Sequence, residues 1–379
     1  MYPALAVLQA VKRLNSSGSD SDNWRINDSQ IMEMNNHDVL WVGSETGMER
    51  NLVNRTGLPF SPISAAGIHG VGLSDLPGNM RKLMNGYFQS RDILHKFQPD
   101  VLFFTGGYVA VPMALAGVGY PSLLYVPDIE PGLASRTVAR FVNKIDLTAP
   151  ESKSFYRSQE ILEVTGYPTR TDLTSWDKES AYHTLGLNPE LKTLLVLGGS
   201  KGAHSINIAL LGILPELLEK MQVVHLSGEL DWERVIKTSE ALKTAPTRAD
   251  RYHPFKYLHE EIGAAFTAAD LVVSRAGASI LGEYPLFGLP AIVVPYPHAW
   301  RYQIVNAEYI SNHNAAVIIR DDELTAKLLS QIMSLMADNQ LRNVMGGNMC
   351  KLLKPDAADE IARHLVALAS PMKGNTTHD

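Results

Sequence analysis

Apolar residues in this chain gather into short unbroken runs, each stopped by glycine or proline and separated by stretches of helical periodicity. DVLFFTGGY (Asp100–Tyr108), the apolar segment Val109–Ala116 and PSLLYVP (Pro121–Pro127) read as strand, glycine turn, helix and strand, the βαβ rhythm of a parallel sheet. The rhythm restarts in KTLLVLGG, MQVVHLSG, ADLVVSRAG and LPAIVVPYP, four runs that suit strands covered on both faces. DVLWVG (Asp38–Gly43) reads as a short buried strand. The opening MYPALAVLQAVKRL has Leu5, Leu8 and Val11 at helical spacing and no basic segment before it, which favours an amphipathic core helix over a signal peptide. Asn79–Phe97 sets Met80, Leu83, Met84, Tyr87 and Phe88 on one broad helical face beside Arg81, Lys82, Arg91 and Lys96. That face either packs on a core or meets a lipid surface. Ile361, Leu365 and Leu368 mark a last helix within Ala357–Ser370.

A chain of 379 residues exceeds the roughly 250–300 at which one core stops growing, so two domains are expected. The turn-rich EVTGYPTRTD (Glu163–Asp172) is the expected boundary, and the polar segment Asn15–His37 an exposed, mobile insertion. The fold class predicted is α/β: two doubly wound parallel-sheet domains facing across a cleft. Apolar residues make up 45%, charged residues 20%, and the net charge is −6, which argues against a nucleic-acid partner. A single cysteine, Cys350, excludes an internal disulfide and a Cys-rich zinc site. No apolar run reaches the roughly 18–20 residues of a membrane span.

Ligands of open α/β sheets sit beyond the carboxyl ends of the strands. There, GGSKGAHSIN spends Gly198, Gly199 and Gly202 around Ser200 and Lys201. Such a turn lets backbone approach a ligand and aims free N–H groups at it, a seat for phosphate, although a bland tight turn also fits. SRAGASILGE (Ser274–Glu283) repeats the device, with Glu283 placed to accept two hydrogen bonds from a ribose diol. In PYPHAWRYQIVNAEY, Gln303 and Asn306 share a helical face and suit sugar hydroxyls.

Those three segments, with YPALAVLQA, WVGSETGMERNLV, FTGGYVAVPMALA and VTGYPTR in the same order, resemble the peptidoglycan glycosyltransferases that add N-acetylglucosamine to undecaprenyl-diphospho-muramoyl-pentapeptide. The resemblance implies a GT-B fold, with residues 1–165 as a Rossmann-like acceptor domain, 166–355 as the donor domain, and 356–379 as a helix returning to the first domain plus a polar tail. It implies inverting, metal-independent transfer from UDP-N-acetylglucosamine, with no cofactor, to the muramoyl C4 hydroxyl of a membrane-anchored acceptor, by a peripheral protein on the cytoplasmic face of the membrane. By the same resemblance Ser200, within the Gly199–Gly202 loop, binds diphosphate, Glu283 the ribose and Arg170 the nucleotide. Ala278 and Gln303 contact the sugar, and His259 offers backbone groups to uracil. Gly106, Gly107 and Tyr108 lie on the acceptor side, where Tyr108 either packs against acceptor or fills the turn.

The sequence departs from that pattern in three places. The family has a strand and a GGTGGH loop, bearing a candidate general base, before the YPALA helix, whereas this chain starts at Met1. The expectation is a truncated start, with an internal GTG codon taken for initiation, and a given chain poorly stable or inactive beside an extended one. The family's HEQN is YVPD here, so Asp128 stands where Asn is usual, either assisting proton removal or serving structurally. Trp300 replaces an acidic residue near the sugar. His204, His253 and His298 lack partners at ligand spacing and read as surface or capping residues. The rival functions are a diacylglycerol glycosyltransferase, a UDP-sugar 2-epimerase and a protein that binds UDP-sugar without transferring it.

Overall fold

The computed structural model describes residues 1–16, 39–45, 49–66, 76–199, 202–244, 248–297 and 301–370. The insertion expected at Asn15–His37 lies, beyond Ser16, outside the described residues, as do Ser200, Lys201, His298, Trp300 and the polar tail. The chain folds as two compact units: Met1–Pro127, Pro131–Pro168 and Asp356–Asp379 form the first, Asp128–Glu130 and Thr169–Pro355 the second.

The first unit runs α1 (Tyr2–Ser16), β1 (Trp41–Ser44), α2 (Glu49–Arg55), β2 (Phe60–Ile63), α3 (Leu76–Phe97), β3 (Leu102–Phe104), α4 (Ala110–Ala116), β4 (Ser122–Val126), α5 (Leu133–Val138), β5 (Lys144–Leu147) and β6 (Leu162–Val164). β1 and β2 form a parallel pair, and β3-β4-β5-β6 a parallel sheet in sequence order. Side chains of β4 alternate between two cores, as strand geometry requires. Leu124 and Val126 join Met113, Val138, Ile145 and Leu147. Leu123 and Tyr125 join Ala6, Val7 and Ala10 of α1 and Ala358, Ile361 and Ala362 of the C-terminal helix, Ala357–Ala369. Alanines on both helices leave no bulk between them, and Arg13 donates to Asp359 at 2.8 Å across the pair. Below them the His364 ring lies 2.9 Å from the fully buried carboxylate of Asp146. Burial raises that carboxyl above its ordinary value, opposed by the bond and charge of His364.

The structure refines two sequence readings, of α1 and α3, and corrects a third, of β1. α1 is a core helix, but its buried stripe is Pro3, Ala6, Val7 and Ala10, while Leu5, Leu8 and Val11 are half-buried, because small residues permit the close approach to the C-terminal helix. β1 starts at Trp41 and buries only Gly43. In α3 the inward face is Gly86, Ser90 and Leu94: a Cβ on Gly86 would stand 2.0 Å from the Ser64 carbonyl oxygen, so the helix lies directly on the chain after β2. Met80, Met84 and Phe88 therefore point outward, 52%, 56% and 56% exposed.

The second unit continues with α6 (Lys178–Leu185), β7 (Thr193–Leu197), α7 (His204–Leu218), β8 (Gln222–Leu226), α8 (Trp232–Thr244), β9 (Tyr252–Phe255), α9 (Ile262–Ala268), β10 (Leu271–Ser274), α10 (Glu283–Phe287), β11 (Ala291–Val293), α11 (Tyr302–Asn312), β12 (Ala316–Ile318), α12 (Leu324–Ala337) and α13 (Asn339–Cys350). Six parallel strands lie in the order β12-β11-β10-β7-β8-β9. The chain winds one way from β7 through β9, then crosses back to β10 and winds the other way. The reversal falls between β7 and β10, whose Leu194–Leu197 and Leu271–Ser274 pair directly. A sheet of this kind binds its ligand at such a switch point.

Candidate functional site

The loop after β7 is built of glycine for steric reasons. After β7, a Cβ on Gly198 would stand 2.2 Å from the Ala203 nitrogen, and one on Gly202, at φ +84°, 2.2 Å from the Ser227 carbonyl oxygen. The turn thereby folds back against the end of β8 and delivers α7 with Ala203 as its first cap, which offers no side-chain hydrogen bond. The first-turn N–H groups of this 15-residue helix are left for an anion.

Two polar networks hold α7 in place. On the β8 side the His204 Nδ1 lies 2.7 Å from Asp231 Oδ1, while the Asn207 amide donates to Asp231 Oδ2 at 2.8 Å and to the Ser227 carbonyl at 2.9 Å. With its amide nitrogen so occupied, Asn207 accepts through Oδ1 from His225 Nε2 at 3.0 Å. His225 Nδ1 then accepts from the Tyr252 hydroxyl at 2.8 Å. This direction requires a neutral His225, in keeping with burial that pushes its pKa down to about 3 against the attraction of Asp231. On the β10 side Arg275 donates to Ser205 Oγ at 2.7 Å, to the Val294 carbonyl at 3.2 Å and to Asp321. Its guanidinium lies 5.1 Å from the centre of the Tyr296 ring. Consecutive residues His204 and Ser205 thus tie the helix mouth to strands on either side.

After β10, Gly277 caps a short 3-10 turn, Ala278–Leu281, and Glu283 opens α10. Glu283 keeps part of its surface accessible, yet its carboxyl is enclosed. Burial pushes it up to about 7, opposed by a hydrogen bond from Ser279 and the charge of Arg170. Arg170, mostly buried, also lies 3.4 Å from Asp172. Arg170, more than a hundred positions earlier in the sequence, thus acts on the same side of the switch point as Ala278 and Glu283. His259 follows β9, its ring 4.5 Å from that of Tyr257 and its N–H 3.4 Å from Glu261 Oε2. His253 has a buried Nε2 without a hydrogen-bond partner, and burial lowers its pKa against the charge of Asp250.

The two amides of α11 do not act as a pair. Gln303 is half-buried and accepts from the Tyr296 N–H at 2.9 Å. Asn306 is fully buried, and its whole amide is engaged: Oδ1 accepts from Ile129 N at 3.0 Å, and Nδ2 donates to Asp128 Oδ1 at 2.8 Å and to the Ala276 carbonyl at 3.2 Å. The expected sugar contact of Asn306 is corrected accordingly, since both its amide hydrogens are taken and the side chain has no exposed surface. Gly106 and Gly107 both have positive φ and precede α4 in the first unit, with Tyr108 55% exposed. Sequence reading missed Ser205, Asn207, His225, Asp231, Arg275 and Asp321. Arg275 alone gave a signal, a lone cation ending an apolar run. Among the described residues no three His, Cys, Asp or Glu side chains gather at metal-binding spacing.

Comparison with known proteins bears on what this arrangement serves. Residues 193–361 match the glycosyltransferase family 28 C-terminal domain and 30–146 its N-terminal domain. The UDP-N-acetylglucosamine–N-acetylmuramyl-(pentapeptide) pyrophosphoryl-undecaprenol N-acetylglucosamine transferase of Roseiflexus sp. (strain RS-1) is 35% identical, over 96% of this chain and 91% of its own. The protein of that name from Natranaerobius thermophilus is 31% identical over 97% and 96%. Among solved structures, Acinetobacter baumannii MurG superposes with a TM-score of 0.69 at 23% identity, covering 97% of this chain and 95% of its own. A UDP-GlcNAc 2-epimerase from Neisseria meningitidis superposes at 0.61 with 12% identity over 96% and 97%, a likeness of fold alone. The fold is GT-B, and the chain belongs to glycosyltransferase family 28, among the transferases that carry N-acetylglucosamine to pyrophosphoryl-undecaprenol-linked N-acetylmuramyl pentapeptide.

Proposed function

We infer that this protein transfers N-acetylglucosamine from UDP-N-acetylglucosamine to the C4 hydroxyl of undecaprenyl-diphosphate-linked muramoyl pentapeptide, with inversion at the anomeric carbon. The observation that carries the reading is the uncapped mouth of α7 at the β7/β10 reversal, beside the enclosed carboxyl of Glu283. Diphosphate binds the Gly199–Gly202 loop, with Ser200 donating its hydroxyl. Ribose hydroxyls bond the Glu283 carboxylate, whose ionisation Arg170 favours. The sugar lies against Ala278 and Gln303, and uracil against the backbone at His259. Charge that develops on the departing UDP is met by the amides and dipole of α7, so the step proceeds without a metal.

The reading divides the work, with residues 166–355 holding the donor, 1–165 taking the acceptor through Gly106, Gly107 and Tyr108, and 356–379 completing the acceptor domain. None of the described helices is long and apolar enough to cross a membrane. The outward face of α3 instead offers Met80, Met84 and Phe88 among exposed Arg81, Lys82 and Arg91, a composition that binds anionic lipid interfaces. It holds the protein peripherally on the cytoplasmic face, where its donor is found. The test is donor turnover with two acceptors, the lipid-linked muramoyl peptide and diacylglycerol, and with none. Disaccharide formation only on the lipid-linked muramoyl peptide is expected. Turnover on diacylglycerol, epimerisation without acceptor, or UDP binding without turnover would each replace this reading with a rival.

A further inference from the structure

Transfer with inversion needs a base for the attacking hydroxyl, and the carboxylates around the switch point differ in what holds them. Glu130 lies 3.6 Å from Arg301, and Asp321 bonds Arg275. Asp231 faces His204, and both Asp172 and Glu283 feel Arg170. Each of these carboxylates thus has a basic side chain beside it, and Glu283, raised by burial to about 7, is already engaged with the ribose in the reading above. Asp128 alone in this set has no basic side chain within ion-pair distance among the described residues; its hydrogen-bond partner is the neutral Asn306 amide. It packs within the same compact unit as the donor loops. Asn306 also grips Ile129 and the Ala276 carbonyl, two residues before Ala278, so the carboxylate is fixed in register with the loop proposed to meet the sugar. Only one Asp128 oxygen is taken by that amide. Burial raises its pKa above the ordinary carboxylate value, and the Asn306 bond only partly offsets this.

We propose that Asp128 is the general base of the transfer, its Oδ2 accepting the proton of the muramoyl C4 hydroxyl while Asn306 fixes the carboxylate through Oδ1. In the step, the C4 oxygen forms a bond to the anomeric carbon from the face opposite the diphosphate. The bond from that carbon to the β-phosphate oxygen breaks, UDP leaves with the electron pair, and the C4 proton passes to Asp128 and then to water. The proposal rests on the function inferred above.

Asp128→Asn in the full-length enzyme tests it, because an Asn oxygen still accepts from Asn306 and the fold keeps its clasp while the base is lost. The expected result is a fall in kcat of about 10²–10⁴, with KM for UDP-N-acetylglucosamine and calorimetric affinity for UDP within about twofold of wild type. Asp128→Glu, which keeps a carboxylate, should recover part of the loss. Unchanged kcat in Asp128→Asn overturns the proposal and leaves the function standing. Equal losses of kcat and UDP affinity in both variants also overturn it, showing a structural residue. Failure of the wild-type enzyme to use the muramoyl acceptor removes function and proposal together.

Discussion

Two strand-glycine-helix turns in this protein look alike in sequence and differ in construction. In the second unit the turn from β7 to α7 is crowded, since added Cβ atoms on Gly198 and Gly202 would meet backbone at 2.2 Å. In the first unit the turn from β3 to α4 is looser: a Cβ on Gly106 would meet only the Ser135 hydroxyl, at 3.0 Å, one on Gly107 has no atom within 4 Å, and Tyr108 stands exposed beside it. α4 has only 7 residues, with Val109 before it already in helical conformation, while α7 has 15 and is anchored by polar networks on both sides. A rigid, close-fitting mouth suits a small anion whose position matters to a fraction of an ångström. An open turn suits a bulky acceptor that must enter from a lipid surface.

The sharpest way to break this contrast is Gly202→Ala. Its Cβ must displace the Ser227 carbonyl or the turn itself, and UDP affinity measured by calorimetry should fall by about 10² or more. Unchanged affinity would remove the loop from the donor site. Glu283→Gln comes next. Loss of hydrogen bonds to a charged acceptor, about 1.5–3 kcal/mol, should raise KM for UDP-N-acetylglucosamine by roughly tenfold or more. The same variant has an opposite effect on stability. The folded pKa of about 7 lies above the ordinary value of 4.5, so the native state holds the extra proton and stability falls as pH climbs through that window. The ligand-free variant should therefore melt a few degrees above wild type at pH 8 and match it at pH 4; no gain at pH 8 would refute an enclosed carboxyl.

Smaller effects belong to the first unit. Replacing Met84 and Phe88 together with Ser should reduce co-sedimentation with anionic vesicles by about tenfold, since shallow insertion realises only part of the roughly 1.5–3 kcal/mol that full burial of each side chain contributes, and leave UDP affinity alone. Unaltered co-sedimentation would take α3 out of membrane binding. Gly107→Ala has space but keeps φ +84°, a conformation costing an L-residue about 1–2 kcal/mol. A modest drop in Tm with unchanged UDP binding is expected, and a UDP defect as large as that of Gly202→Ala would erase the distinction between the turns.

The parallel α/β plan was legible wherever strands are covered on both faces. β7, β10 and β11 are interior and each shows a continuous apolar run, while interior β8 carries Gln222 and His225, whose polar atoms are hydrogen-bonded inside the fold. β9 and β12 are edges, relieved of that demand: β9 carries His253 and Pro254, and β12 has only three residues. β5 was hidden because Asp146 interrupts it, a buried charge tolerable only through His364, 218 positions away. The glycine turns could be read locally, because the steric demand on each lies within a few residues. The partner of Asn306 could not, since Asp128 is 178 positions distant. The same holds for the chain from His204 to Tyr252, whose hydrogen bonds join residues 18 to 27 apart on different elements.

The clasp of α1 with the C-terminal helix has a consequence for biosynthesis. Alanine faces that close against each other and against β4 keep an early-made segment waiting for one made much later. On the ribosome the second unit can finish before the first, and until the C-terminal helix emerges the face of β4 at Leu123 and Tyr125 is covered from one side only.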